Sequence, residues 1–382
     1  MARVILNENA ILNYQLITTN DELKEVCERA CHYDRVALDT EFVRTRTYYP
    51  QLGLIQLYDG ESLALIDPLG ITDWQPFTHL LKAPNVLKLL HAGSEDLEVF
   101  LHDFQMLPEP MIDTQVLAAF TGRPLSTGFA ALVQDYLGVA LDKSESRTDW
   151  LARPLTERQC VYAAADVFYL LPLAQQLIEQ VSEAGWMAAA EDECRMICRR
   201  RREVLQPEEA YKDFSNVWQL RTRQLACLKA LAAWRLTQAR ERDMAVNFVV
   251  REENLWQVAR YMPTSLGELD KLGISGQEIR YHGKTLVALA NAARELPESE
   301  WPEAEERLID HPKYKRAFKE LKAEVQNAAQ RSGLSAELIA SRRQINQVLS
   351  WFWLGKNEQP ELLQGWRETL LGDALRATLD KL

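Results

Sequence analysis

A chain of 382 residues exceeds one ordinary hydrophobic core, and 47% hydrophobic with 26% charged residues excludes a disordered or low-complexity protein. The formal net charge of −11 neither requires nor excludes a nucleic-acid partner, because distribution decides. Residues 1–205 hold 18 Lys and Arg against 30 Asp and Glu, whereas residues 206–382 hold 26 against 25.

The first dozen residues contain no signal-peptide core, and no run reads as the ~20 apolar residues that a membrane span needs. The six cysteines form no C-x-x-C pair and read as free thiols in a reducing compartment. The expectation is a cytoplasmic protein without a membrane partner. No obligate protein partner is evident.

In chain order, residues 14–18, 35–42, 52–58, 62–67 and 86–91 read as strands from their short apolar runs. A helix is expected from Thr19, where Glu22 completes a capping box, another near Ser94, and a third after Asp113. Strands followed by alternating strand and helix indicate an α/β layer with a mixed sheet. Beyond Gly128 the strand pattern stops. A long helix is expected from Thr156, with Gln159 completing its box, to about Val181. The run Arg199–Arg202 and then Pro207 mark the end of this part. Residues 211–295 and 302–380 read as two all-helical units, divided near Pro297 and Pro302. The expected domains are therefore 1–205, 211–295 and 302–380.

Three acidic segments carry the chemistry. Asp39 and Glu41 alternate with Thr40 on one strand, so their carboxylates share a face about 7 Å apart along it. His91-Ala-Gly-Ser-Glu95-Asp96 ends a strand, turns at Gly93, and places acids in the first helical turn. Tyr162 and Asp166 stand at i and i+4 on one helical face, separated by three alanines that keep the helix slim. Taken singly, each segment has an ordinary structural explanation: exposed strand-end acids, compensation of the helix dipole, or a packed helix with a surface acid. Together they suit phosphodiester cleavage, which needs an activated water, a neutralised oxyanion and a stabilised leaving oxygen. Two Mg²⁺ or Mn²⁺ ions about 4 Å apart supply all three and prefer hard oxygen ligands. A tyrosine near the attacking water orients it and is no strong base, with a reference pKa of about 10. Zinc is disfavoured, since neither His nor Cys shows ligand spacing.

DTEF, HAGSED and YAAAD resemble the three motifs of the DEDD exonuclease superfamily in its tyrosine-bearing branch. The surrounding DTEFVRTRTYYPQLGLIQL and DKSESRTDWLARPLTERQCVYAAAD are similar to the ribonuclease D family. The resemblance runs from about Tyr14 to the C-terminus. It implies an α/β ribonuclease H-like exonuclease domain, a mixed sheet with helices, followed by two all-α HRDC-like helical domains. It places Asp39, Glu41, Asp96 and Asp166 as metal ligands and Tyr162 as the water-orienting residue. It further implies a 3′→5′ exoribonuclease that trims tRNA precursors and other structured RNA 3′ ends, releasing nucleoside 5′-monophosphates. Proofreading relatives often carry Asn and an aromatic where this chain has His91 and Glu95.

Secondary candidates for holding RNA are Arg44, Arg46, Tyr48, Tyr49 and Gln56 just past the acidic strand, together with His91. Basic residues interleaved with aromatics there suit phosphates and stacked bases. Lys143, Arg147, Trp150 and Arg153, ahead of the Tyr162 helix, are candidates for gripping the scissile region. In the helical half, residues 211–295 resemble the HRDC nucleic-acid-binding module, and 302–380 resemble a second, divergent copy whose best-matching stretch is Ser341–Asn346. Two other readings stay open at this stage. A DNA exonuclease would use the same five residues, and a catalytically dead scaffold would show a broken motif, which this chain does not.

Overall fold

The computed structural model describes residues 2–7, 10–142, 144–304, 307–355 and 358–381, with side chains from Leu12 onward. The apolar runs of the first half become seven strands: β1 (Ala2–Asn7), β2 (Ala10–Ile17), β3 (Arg35–Val43), β4 (Gln51–Tyr58), β5 (Leu63–Ile66), β6 (Leu87–Leu90) and β7 (Met111–Asp113). They form one mixed sheet in the order β1-β2-β5-β4-β3-β6-β7. The acidic strand β3 lies between antiparallel β4 and parallel β6. β1 and β7 were not expected from sequence. β7 has only three residues, too short for a period-two pattern to register.

Around this sheet stand α1 (Asn20–Ala30), α2 (Gln75–Lys82), α3 (Ser94–Phe104), α4 (Thr114–Phe120), α5 (Phe129–Leu137), α6 (Glu157–Glu183) and α7 (Met187–Arg202). Both expected capping boxes exist: Thr19 with Glu22 opens α1, and Thr156 with Gln159 opens α6. α6 runs against β3, β4 and β5. Ala163, Ala164 and Ala165 are buried there, and their small side chains let the helix backbone sit close to the strands. By length and composition α6 is apolar enough to cross a membrane, yet half of its apolar window is buried within the protein. Its apolarity thus reflects a core helix.

The chain divides into two compact units. One comprises residues 1–43, 51–202 and 308–382. Its C-terminal part contains α13 (Tyr314–Ser332), α14 (Ala336–Ile339), α15 (Arg342–Leu354) and α16 (Gly365–Leu379), which share one hydrophobic core with the sheet and its helices. Trp366 on α16 packs 5.3 Å from Phe120 and 6.2 Å from Trp186, ring centre to ring centre. Beside it, nearly buried Arg367 pairs with Glu193 of α7 and donates to the carbonyls of Leu338 and Ile339. Of the arginine run at the end of α7, Arg200 serves the same docking, while Arg201 and Arg202 tie α7 to the sheet and its helices. Arg200 pairs with Glu361, Arg201 with Glu98, and Arg202 with Glu109.

The other unit comprises residues 44–50 and 203–307. It holds α8 (Thr222–Glu241), α9 (Val246–Val249), α10 (Glu252–Tyr261), α11 (Leu266–Lys271) and α12 (Gly276–Glu295) around its own core, which includes Leu228, Leu255 and Leu286. The grouping differs from the sequence partition in two places. Residues 308–382 cluster with the sheet unit, and the loop 44–50 clusters with the helices of 203–307. Within that second unit Arg240 Nε donates to the Tyr48 hydroxyl at 3.2 Å, and the Arg46 carbonyl accepts from Ala245 N at 2.8 Å. Tyr49 N donates to Asp243 at 2.9 Å.

Candidate active site

β3 presents Asp39 and Glu41 on one face, and α6 brings Asp166 to meet them. Ligand atoms of these three carboxylates lie within 4.8 Å of one another. The strand bends beside them. Glu41 pairs with Leu54 and Phe42 with Leu52, so Gly53 of β4 is an extra, unpaired residue. A side chain at Gly53 would place its Cβ 2.7 Å from the Trp150 carbonyl oxygen and 2.9 Å from Trp150 Cβ. Only glycine lets the segment before α6 lie this close to the bulge. Arg153 secures that segment: it pairs with Asp67 through two nitrogens at 2.6 and 2.8 Å, and donates to Gly53 O at 2.7 Å.

Asp96 enters from the first turn of α3, which follows β6. Its carboxylate accepts from the Thr40 hydroxyl and, at 3.2 Å, from Thr40 N. Thr40 thereby ties α3 to the strand residue between the other two acids. The turn before α3 is held by buried Asp113, which accepts from Ala92 N at 3.0 Å and Gly93 N at 2.9 Å. Ala92 adopts a left-handed φ of 52°, so these bonds stabilise a backbone that alanine disfavours. Arg201 adds a brace, donating to Ser94 Oγ at 2.9 Å and Glu98 at 2.8 Å. The supporting roles of Thr40, Asp113 and Arg201 were not read from the sequence. Asp113 ahead of a helix start was the one readable signal, as an N-cap.

The four acids crowd one poorly solvated place, so their ionisation is disfavoured. Burial, then the charges of Asp96, Asp166 and Glu41, hold the Asp39 carboxyl well above the ordinary range. Burial, followed by Asp166 and Asp96, pushes Glu41 up to about 9. Burial raises Asp166 to about 7 against the opposing hydrogen bond from Tyr162, and raises Asp96 to about 6 against the hydroxyl of Thr40. The Tyr162 phenol is raised too, by burial and then by the Asp166, Glu41 and Asp39 charges. A phenol so raised holds its proton and donates it in a hydrogen bond, which suits orienting a water better than deprotonating one. Hard oxygen donors that repel one another at this spacing are the donor set a divalent cation takes. Among the described residues no histidine or cysteine joins this group.

Trp150 is 1% exposed and belongs to the core, with its ring 6.1 Å from that of Tyr162. Arg153 is committed to Asp67 and Gly53. Gln56 is fully buried. Arg153 looks uncommitted in the sequence because its partner Asp67 lies far along the chain, and the burial of Trp150 and Gln56 depends on elements packed over them from elsewhere. His91 is half-buried, with Nδ1 2.9 Å from Thr114 Oγ1, and burial lowers its pKa. Arg44, with a guanidinium bond to the Tyr48 carbonyl at 2.7 Å, joins Arg46, Tyr48 and Tyr49 in the second unit. Lys143 lies outside the described residues, and Arg147 is exposed.

A mixed sheet whose β3, α3 and α6 contribute four carboxylates and a tyrosine defines a 3′→5′ exonuclease domain. Comparison with protein families agrees: residues 14–182 match a 3′-5′ exonuclease model, 224–289 the HRDC domain, and 312–375 the C-terminal HRDC domain of ribonuclease D. Ribonuclease D of Serratia proteamaculans is 66% identical over 370 residues, covering 96% of this chain and 99% of the relative. Ribonuclease D of Escherichia coli is 62% identical over 97% of this chain and 99% of the relative. A crystal structure of Escherichia coli RNase D, described as an exoribonuclease involved in structured RNA processing, matches with a TM-score of 0.95, covering 97% of this chain and 99% of that one. The chain belongs to the ribonuclease D family and is a metal-dependent 3′→5′ exoribonuclease.

Proposed function

We propose that this enzyme trims the 3′ ends of tRNA precursors and other structured RNAs one nucleotide at a time, releasing nucleoside 5′-monophosphates. In this reading Asp39, Glu41, Asp96 and Asp166 hold two divalent ions, Mg²⁺ or Mn²⁺. Bound there, the ions supply the positive charge that the attacking water, the phosphoryl oxygen and the leaving 3′ oxygen require. Tyr162 orients the water through its hydroxyl, and Thr40 fixes Asp96. The HRDC-like helices grip the body of the RNA. The one observation that carries the proposal is the convergence of Asp39, Glu41 and Asp166 within 4.8 Å. The enzyme acts in the cytoplasm and needs no obligate protein partner.

Calorimetric titration with Mn²⁺ tests the metal assignment: two ions should bind wild-type protein, and Asp39→Asn should bind fewer and more weakly. A single ion per chain, or unchanged binding by the variant, would refute it. Turnover on a tRNA precursor with a 3′ trailer, a single-stranded RNA and a DNA of equal length tests the substrate. Equal or faster degradation of DNA would overturn the RNA assignment.

A further inference from the structure

Gln56 is 0% exposed, and neither atom of its side-chain amide has a hydrogen-bond partner. Its place in the sheet is informative. β3 and β4 are antiparallel with Asp39 directly opposite Gln56, so both side chains leave the same face with Cβ atoms about 5 Å apart. Leu54, two residues earlier, stands opposite Glu41 in the same way. The face is roofed by α6, whose alanines 163–165 offer no polar side-chain atom, and Tyr58 further along packs 5.4 Å from Phe168 of that helix. Gln56 is therefore sealed in an apolar layer beside one carboxylate of the site.

Sealing an unpaired amide in a core is unfavourable, and a methionine or leucine would fill the same layer without that cost. Violations of this kind concentrate where function requires them. Carboxylates that bind metal ions are commonly held from behind by hydrogen-bond donors, which set the direction of the ligating oxygen. The geometry points to Gln56 as a positioning residue, not an RNA contact: its amide, unpartnered in this structure, is placed to donate to one Asp39 carboxylate oxygen once a divalent ion holds Asp39 ionised, leaving the other oxygen for the ion. This inference rests on the proposed role of Asp39 as a metal ligand.

The test compares wild type, Gln56→Met and Asp39→Asn. Mn²⁺ affinity is read by calorimetry on protein without RNA, thermal midpoint is read in EDTA, and KM and kcat are read across Mn²⁺ concentrations. Gln56→Met should keep or raise the midpoint in EDTA. It should weaken Mn²⁺ binding by about 10- to 100-fold, raise the Mn²⁺ needed for half-maximal kcat by a similar factor, and leave KM for RNA within twofold. Gln56→Asn, with the amide drawn back by one methylene, should weaken Mn²⁺ binding in the same direction and serves if Gln56→Met does not fold. Wild-type Mn²⁺ affinity in Gln56→Met, beside weakened binding in Asp39→Asn, would overturn the role of Gln56 alone. Undiminished binding in Asp39→Asn would instead remove the metal assignment on which it rests. A rise in KM for RNA with Mn²⁺ affinity unchanged would return Gln56 to the substrate.

Discussion

Replacing Asp166 by Asn should make the metal-free protein more stable and the metal-loaded protein less so. Burial holds the Asp166 carboxyl at about 7 in the folded chain, against 3.8 for a free carboxyl. The folded state therefore keeps a proton that the unfolded state gives up near pH 4. The stability linked to that proton is complete below about pH 4 and is lost as pH rises through about 7. At 1.36 kcal/mol per unit, the loss at pH 8 is up to about 4 kcal/mol from this carboxyl. Asparagine has no proton to lose and carries no charge toward Glu41, whose pKa Asp166 helps to raise. The expected signature is a thermal midpoint for Asp166→Asn several degrees above wild type at pH 8 in EDTA, since 1 kcal/mol moves a domain of this size by about 2–4 °C. The gap should shrink toward pH 5. Excess Mn²⁺ should reverse the order, because two ions, each at 100 times its Kd, add about 5 kcal/mol to wild type and less to the variant. A variant less stable than wild type in EDTA at pH 8, or a gap that grows as pH falls, would refute the electrostatic reasoning.

Tyr162→Phe keeps the ring and removes the water-orienting hydroxyl, so kcat should fall about 100-fold with KM within twofold, measured under saturating Mn²⁺. Gly53→Ala forces a Cβ against the backbone of Trp150, and urea denaturation should show a loss of about 1–3 kcal/mol. Glu193→Ala strips the partner from nearly buried Arg367 and should cost about 3–5 kcal/mol by the same assay; Mn²⁺ affinity should stay at the wild-type value.

How much of this was legible follows from how far each feature's partner lies along the chain. The i, i+2 spacing of Asp39 and Glu41, the i, i+4 spacing of Tyr162 and Asp166, and both capping boxes are short-range, and the expected elements hold them. The bulge at Gly53 was not readable, because its cause is Trp150, almost a hundred residues away. Arg153 looked like a phosphate ligand because nothing near it in sequence announces Asp67. In the sequence the arginines of α7 marked the end of a domain, yet three of them answer Glu361, Glu98 and Glu109. The same limit hid the docking of α13–α16 with the sheet unit, which runs through Trp366 and Arg367. The loop 44–50 carries the aromatic and basic residues that suggested RNA contact, but its packing on α8 depends on Arg240 and Asp243.

The most direct test of the central claim uses RNA labelled at its 5′ end and bearing a 3′ trailer, incubated with Mg²⁺ or Mn²⁺. Wild-type enzyme should give a ladder that shortens by single nucleotides from the 3′ end and yields nucleoside 5′-monophosphates. Asp39→Ala and wild type in EDTA should leave the RNA intact while Asp39→Ala still binds it. Internal cuts, or shortening that persists in EDTA or in Asp39→Ala, would contradict a metal-dependent exonuclease centred on these carboxylates.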